Sequence, residues 1–551
     1  MDKKEIVTFF LEREILLAPE FLISLKEETD VSSFYRELNK KLKNKPLVFG
    51  EEIIISNQIR NNVEIIWNEF DRLKVGFEKG RNTNLFNPFS EINQMDEGLD
   101  LTATNQVLQT IEKDKENEAS VIVVKNYTEG EKKIEVNDFV NNFRNRYESI
   151  KKMLLARQEL QDSISITRLT RKQEGESISI IGLVLNKEET KNGNIRITLE
   201  DLSGTVDVLV TKKKEEIFEL AKDVVLDEVI GVAGAMGNKI VFCNSLYVPD
   251  IPINHELKKS KDETYAVFIS DIHFGIKNFL KEDFMKFVLW LKGEYGSEQQ
   301  QKVAEKVKYL FIIGDVVEGV GIYPGQEEDL EIKDIYEQYE EATKYLKMIP
   351  EKIKIIMCGG NHDAMRISEP QPVFDPLIGK GFYEMPNVIM TSNPAVVNIH
   401  SSEGFPGFDV LMYHGFSFPY FSENVSSIRD KGGLARCDLI MKFLLQRRHL
   451  APSHGSNLYT PNGTYDPLVI DKIPDLFVSG HVHQISVGNY RNVTLLNSSC
   501  WVVQSEDNAK RGIIPHPAKI PIINLKTREV KIMNFLDDNT KVLHSERMGL
   551  K

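Results

Sequence analysis

Five short apolar runs in the second half of the chain end in residues that bind metals. Tyr265-Ala-Val-Phe-Ile-Ser leads into Asp271-Ile-His273, and Lys308-Tyr-Leu-Phe-Ile-Ile leads into Gly314-Asp315. Ile353-Lys-Ile-Ile-Met-Cys leads into Gly359-Gly-Asn361-His362-Asp363, Val410-Leu-Met-Tyr into His414-Gly415, and Leu476-Phe-Val-Ser into Gly480-His481-Val-His483. A single Asp-X-His pair is common on solvated loops; five such endings in succession exceed coincidence. Mixed carboxylate, amide and imidazole donors suit Mn, Fe or Zn better than Ca. Short apolar runs bounded by polar residues read as buried strands. Alternate residues of an extended chain point the same way, so Asp271 and His273 reach one point. Open α/β sheets hold their ligands at the carboxyl ends of strands, where these residues stand.

Asp-X-His, Gly-Asp, Gly-Asn-His-Asp, His and Gly-His-X-His, in that order over about half of the chain, resemble the motifs of the calcineurin-like metallophosphoesterase family. The resemblance implies an α/β phosphoesterase domain over 262–535, a two-sheet sandwich flanked by helices. It also implies two divalent ions, Mn foremost, with Fe, Zn or Mg as alternatives. Asp315 would bridge them, with Asp271, His273 and His483 completing one shell and Asn361, His414 and His481 the other. Two ions roughly 3.5–4 Å apart hold the attacking and leaving oxygens of an in-line displacement at phosphorus. By the same resemblance His362 protonates the leaving group or steadies the transferred phosphate, and Asp363 orients His362 by a hydrogen bond.

The residues around the ligands narrow the branch. Protein phosphatases of this superfamily continue Gly-Asp with an Asp-Arg-Gly element and carry Gly-Asn-His-Glu. Here Gly314-Asp315 continues as Val-Val-Glu-Gly-Val-Gly-Ile-Tyr-Pro-Gly-Gln-Glu327, and the third motif ends in Asp363, similar to double-strand-break repair nucleases. Gly319–Glu327, Glu369-Pro-Gln-Pro372 and Leu445-Gln-Arg-Arg-His-Leu-Ala-Pro452 resemble the small subunits of archaeal family D DNA polymerases. That resemblance covers the chain from about Phe139 to Trp501. It implies a 3′→5′ exonuclease that removes mispaired nucleotides, within a polymerase whose separate large subunit synthesises DNA. The large catalytic subunit and DNA 3′ ends are the partners implied, with a sliding clamp reached through the complex. One departure is Val478-Ser-Gly-His481, where His-Thr-Gly-His is expected; neither altered position is a ligand.

A chain of 551 residues is too long for one ordinary core, so several domains are expected. The fold class is multidomain α+β. No segment reaches the ~18–20 apolar residues that span a bilayer, and Met1-Asp-Lys-Lys-Glu opens no signal-type apolar region, which places the protein in the cytoplasm without a membrane partner. The four scattered cysteines read as buried thiols. A net charge of −13 argues against coating nucleic acid by bulk electrostatics.

Residues 1–75 show helical spacing (Ile6, Phe9, Phe10, Ile15, Leu16) and read as a small helical domain. Residues 76–135 lose periodicity and read as a polar, acidic linker. Over 136–175, Phe139, Phe143, Tyr147, Ile150 and Leu154 form a helical stripe. The other face carries Arg144, Arg146, Lys151, Lys152 and Arg157, read as solvated with phosphate contact as the alternative. Across 176–250 five short strands, with a helical piece at Lys214–Ala221 between the third and fourth, have the layout of an OB-fold barrel. Its first three strands carry no aromatic residue on which bases could stack, which favours a barrel facing protein. Arg447, Arg448 and His449 are candidates for steering a DNA backbone, or else cations at a structural helix end. Trp501 reads as core, and 536–551 as a polar tail.

Two rival readings follow. Similar subunits of eukaryotic replicative polymerases have lost the metal ligands and act as silent scaffolds; the intact ligand set here disfavours that. A stand-alone phosphodiesterase or phosphatase is opposed by the barrel and by Gly319–Glu327.

Overall fold

A computed structural model of the chain describes residues 16–17, 48–49, 120–127, 133–503 and 514–536. β1 (Leu16–Leu17) and β2 (Val48–Phe49) pair in parallel. Apart from these pairs, the helical domain expected over 1–75 lies outside the described residues, as do 537–551 of the tail. The expected linker needs a correction: Val121–Lys125 within it form β3, an edge strand antiparallel to 395–399. Its run of β-branched residues favours an extended, sheet-paired backbone over a solvated coil.

α1 (Val136–Leu155) follows, capped by the reciprocal Glu135 and Asp138 hydrogen bonds that satisfy its first free amides. β4 (Ser177–Glu189), β5 (Ile195–Asp201), β6 (Gly204–Val210), β7 (Val229–Met236) and β8 (Ile240–Tyr247) close into a barrel in the order β4-β5-β6-β8-β7. α2 (Glu215–Lys222) lies between β6 and β7, where the sequence places it. The alternation along β5 explains the closure: Ile195, Ile197 and Leu199 turn into the barrel against Val208, Ile230 and Val241, while Arg196 faces out. Tyr147, Ile150 and Leu154 of the α1 stripe pack on Ile181, Leu183 and Val229 outside the barrel.

The rest of the described chain is a two-sheet sandwich. One sheet runs β12 (Val388–Met390), β11 (Lys354–Cys358), β10 (Val307–Ile313), β9 (Tyr265–Ile269), β18 (Lys519–Asn524) and β19 (Val530–Asn534). The other runs β16 (Ser486–Tyr490), β17 (Val493–Asn497), β15 (Leu476–Ser479), β14 (Phe408–Met412), β13 (Ala395–Ile399) and β3. Ala266, Phe268, Phe311 and Ile313 meet Val397, Val410, Met412 and Val478 between the sheets. On the outer face of the first sheet Val267, Ile269, Leu310 and Ile355 pack against α3 (Lys281–Leu291) and α4 (Ile335–Leu346). Leu411, Phe477 and Leu495 of the second sheet pack against α5 (Cys437–Arg447). Burial on both faces is why these strands are continuous apolar runs. Trp501 is buried against Phe284 and Phe287, in the core as expected. Among the described residues no helix is long and apolar enough to cross a membrane.

Barrel, α1 and sandwich are joined through buried polar groups. Arg146 Nε meets Asp466 Oδ2 at 2.8 Å, its Nη1 donates to the Pro452 carbonyl, and His449 Nε2 lies 2.9 Å from the same carboxylate oxygen. Arg146 therefore leaves the basic face expected for α1; it is 1% exposed and structural.

Candidate metal centre

β9, β10 and β11 are mutually parallel, as are β14 and β15, so their carboxyl ends deliver five loops to one edge of the sandwich. The expected residues converge there in two groups. Asp271, His273 and His483 bring one donor atom each within 4.8 Å of one another, and Asp315, His414 and His481 do the same. Asn361 joins the second group, its Oδ1 3.1 Å from His414 Nε2. Asp315 faces both groups: its Oδ2 is 3.2 Å from His414 Nε2 and 4.0 Å from His273 Nε2.

The backbone gives up regular geometry to achieve this. Asp271, His273, Asp315, His481 and His483 all have φ between 49° and 68°. Such left-handed residues are uncommon outside glycine and cluster at functional sites held by their surroundings. Around them β-carbons are excluded: one added at Gly314 would come 2.3 Å from His414 Nδ1, and one at Gly480 2.6 Å from Asp271 Oδ2.

These donors fit divalent metal. His273 and His483 point their Nε2 atoms at each other at 3.1 Å, beside Asp271 Oδ1, an approach that a shared cation between imidazoles and carboxylate satisfies. Two of the imidazoles, His414 and His273, have acceptors beside their outer nitrogens, as metal-binding imidazoles require. His414 Nδ1 lies 2.8 Å from the Ile313 carbonyl, and His273 Nδ1 lies 2.8 Å from Glu318 Oε2. Burial alone would raise the Asp315 carboxyl, but His414 and His362 outweigh it and hold it well below the usual carboxylate range. Burial, reinforced by His414, pushes His481 down to about 3, leaving a neutral imidazole.

His362 stands over the first group, its ring edge-on to His273 at 4.7 Å between centroids. Its backbone amide donates to Asp315 Oδ1 at 2.8 Å, and its Nδ1 lies 2.8 Å from the Glu318 carbonyl oxygen. The orienting role expected of Asp363 is thus corrected. Asp363 accepts from the amides of Gly360, Val316 and Val317 and from the Tyr339 hydroxyl, fastening the Asn361 loop to the Asp315 loop. Burial and the neighbouring Asp315 push its carboxyl up to about 7.

Sequence reasoning missed Glu318, Gln326, Gln371 and Asn393 as supports, although three of them lie in or beside the branch-specific stretches. Gln326 Nε2 donates to Glu318 Oε1 at 3.0 Å. Gln371 Nε2 donates to the Gly360 carbonyl, Asn393 Nδ2 to Gln371 Oε1, and the His414 amide to Asn393 Oδ1, linking the loops that carry Asn361 and His414. Glu369, beside them, accepts from the Tyr413 hydroxyl, and burial pushes its carboxyl up to about 7.

The three residues read either as DNA contacts or as cations at a structural helix end are not at a surface; Arg447 closes α5 and Arg448 caps it, as in the second alternative. Arg447 Nε pairs with Glu228 Oε2 of the barrel at 3.0 Å, and Arg448 donates to the carbonyls of Ile470 and Asp471. Arg447, Arg448 and His449 are 5%, 5% and 0% exposed. Both arginines meet fixed acceptors in the interior and burial pushes His449 down to about 4, which leaves nothing for phosphate. Arg447→Ala strands Glu228 in the interior without its partner and is expected to destabilise the protein by ~3–5 kcal/mol. A fall in melting temperature, with the salt dependence of DNA binding unchanged, is the expected result. A stable variant with a shallower salt slope would return Arg447 to the DNA.

Residues 265–485 match the family model for calcineurin-like phosphoesterases. The chain is 39% identical over 401 residues to the DNA polymerase II small subunit of Methanothermobacter thermautotrophicus, covering 73% of this chain and 79% of that one. The subunit of the same name from Archaeoglobus fulgidus is 39% identical over 389 residues, covering 70% and 75%. That from Pyrococcus furiosus is 37% identical over 416 residues, covering 75% and 66%. The match to the first takes in most of both chains, and the phosphoesterase motifs lie at the converging strand ends, so the chain belongs to the DNA polymerase II small-subunit family.

Proposed function

We propose that this chain is the metal-dependent 3′→5′ exonuclease of a two-subunit family D DNA polymerase, hydrolysing the terminal phosphodiester of a mispaired strand. The observation that carries the reading is the convergence of Asp271, His273, Asn361, His414, His481 and His483 in two groups faced by one carboxylate, Asp315. The relatives are named as small subunits, which supports a large catalytic subunit as partner. DNA 3′ ends are the substrate in this reading, and a sliding clamp is reached through the assembly.

Asp271, Asp315, Asn361 and the four ligand histidines would hold two divalent ions, Mn2+ foremost, with Fe, Zn or Mg2+ as alternatives. Bound there, they supply Lewis acidity towards the scissile phosphate. His362 moves the proton. With Nδ1 donating to the Glu318 carbonyl, Nε2 is the nitrogen left to protonate the departing 3′-oxygen, while water supplies the oxygen that ends on the released nucleotide phosphate. Glu318 Oε1 also lies 3.7 Å from Nδ1.

The test incubates the purified chain, alone and with its large subunit, with Mn2+ and a 3′-mispaired primer–template. Wild type shortens the primer from its 3′ end, and His362→Ala slows this by ~10²–10⁴-fold with Mn2+ binding retained. Absence of shortening even in the complete assembly would leave the scaffold reading in its place.

A further inference from the structure

Resting on that reading, we propose that Phe416 is the stacking platform for the base of the 3′-terminal nucleotide. The loop after β14 carries Tyr413, Phe418, Tyr420 and Phe421, all of which pack into the apolar core around α5. Phe416 is not among the residues of that core. Its ring instead lies 5.6 Å, centroid to centroid and at 67°, from the imidazole of His481 in the second ligand group. It is partly exposed there, beside the ligands rather than behind them.

The residues on either side are fixed. Gly415 takes φ 112° in a place where a β-carbon would lie 3.3 Å from the Gly480 carbonyl oxygen and 3.5 Å from His481 Cβ. Ser417 is fully buried; its hydroxyl donates to the Leu450 carbonyl at 2.7 Å and its amide to the Tyr413 hydroxyl at 3.2 Å. The Phe418 amide donates to the Gly415 carbonyl. The backbone that carries this flat apolar ring is thus held on both sides, beside the second group of donors and, among the described residues, outside the apolar core around α5. Sequence-tolerant stacking of a base on such a ring is how proteins grip single-stranded ends, and a terminal base becomes available for it only when it is not paired. A correctly paired end keeps its base in the duplex and must melt first, so the platform favours mispaired ends.

The test compares, in the complete assembly with Mn2+, a single-stranded oligonucleotide ending in a normal nucleotide with one whose terminal base is missing. Wild type prefers the base-bearing end by on the order of ten-fold in kcat/KM. Phe416→Ala brings that ratio to near one, and Phe416→Trp preserves it. Binding supplies a readout apart from turnover. With Ca2+ in place of Mn2+, the fluorescence of a terminal 2-aminopurine is quenched by wild type and by Phe416→Trp, and is unquenched by Phe416→Ala. Unchanged discrimination and quenching in Phe416→Ala overturn the proposal while leaving the nuclease reading intact. Wild type inactive on both oligonucleotides would remove the nuclease reading itself, and quenching then reports on the platform separately. Should Phe416→Ala fail to fold, a Phe416→Trp protein whose emission does not respond to a base-bearing end overturns the proposal.

Discussion

Asp315→Asn lowers primer shortening by on the order of 10³-fold or more, because several kcal/mol of transition-state stabilisation depend on the metals it would hold. The substitution keeps shape and removes charge. An amide oxygen at the Oδ1 position still accepts the His362 amide, so the loop that now closes at 2.8 Å stays closed. What disappears is the anion set between the two imidazole groups, 3.2 Å from His414 Nε2 and 4.0 Å from His273 Nε2. Calorimetric titration with Mn2+ is expected to show weaker binding and a lower stoichiometry, with an unchanged circular dichroism spectrum. Activity within ten-fold of wild type would contradict the bridging role.

Gly360→Ala reaches the same end through shape alone. A β-carbon at Gly360 would stand 2.3 Å from Asp315 Oδ1 and 2.5 Å from its backbone nitrogen, so the clash is with main chain as well as with the carboxylate. Either Asp315 swings out of the space between the two groups or the Asn361 loop retreats, breaking the Gly360 amide bond to Asp363 and the Gln371 bond to the Gly360 carbonyl. The expected result is loss of metal binding and of nuclease activity comparable to Asp315→Asn, with a stability cost of about 1–3 kcal/mol from overpacking. Unlike Asp315→Asn, this variant should also melt earlier in the metal-free state. A metal-free melting temperature equal to that of wild type, with full Mn2+ affinity, would show that the loop has slack the packing does not suggest.

The strands were legible because burial on both faces writes itself into the sequence as an unbroken apolar run, and the residues that converge at the sheet edge were legible because each follows such a run by one to four residues. The helix between the third and fourth barrel strands was legible from a change of period. What failed was charge. Arg146, Arg447 and Arg448 carry the same signature whether solvated, bound to phosphate or buried, and their partners lie far off in sequence; Glu228 is 219 residues from Arg447. β3 was hidden for a related reason: four apolar residues after a polar stretch acquire meaning only from a pairing strand more than two hundred residues later. Asp363 shows a third limit. Its neighbour His362 is one residue away, yet the groups it binds are backbone amides on two loops, which no spacing rule reports.

The buried joint between barrel, α1 and sandwich has a mechanical consequence. Asp466 binds Arg146, Asn142 and His449 together, Arg447 reaches Glu228 and the Asp223 carbonyl, and the Asp250 amide reaches the Gln446 carbonyl. Fastened at so many buried points, barrel and sandwich resist turning against each other. Whatever grasps the barrel thereby also moves the edge of the sandwich where the two groups of donors converge, like a handle fixed to a blade.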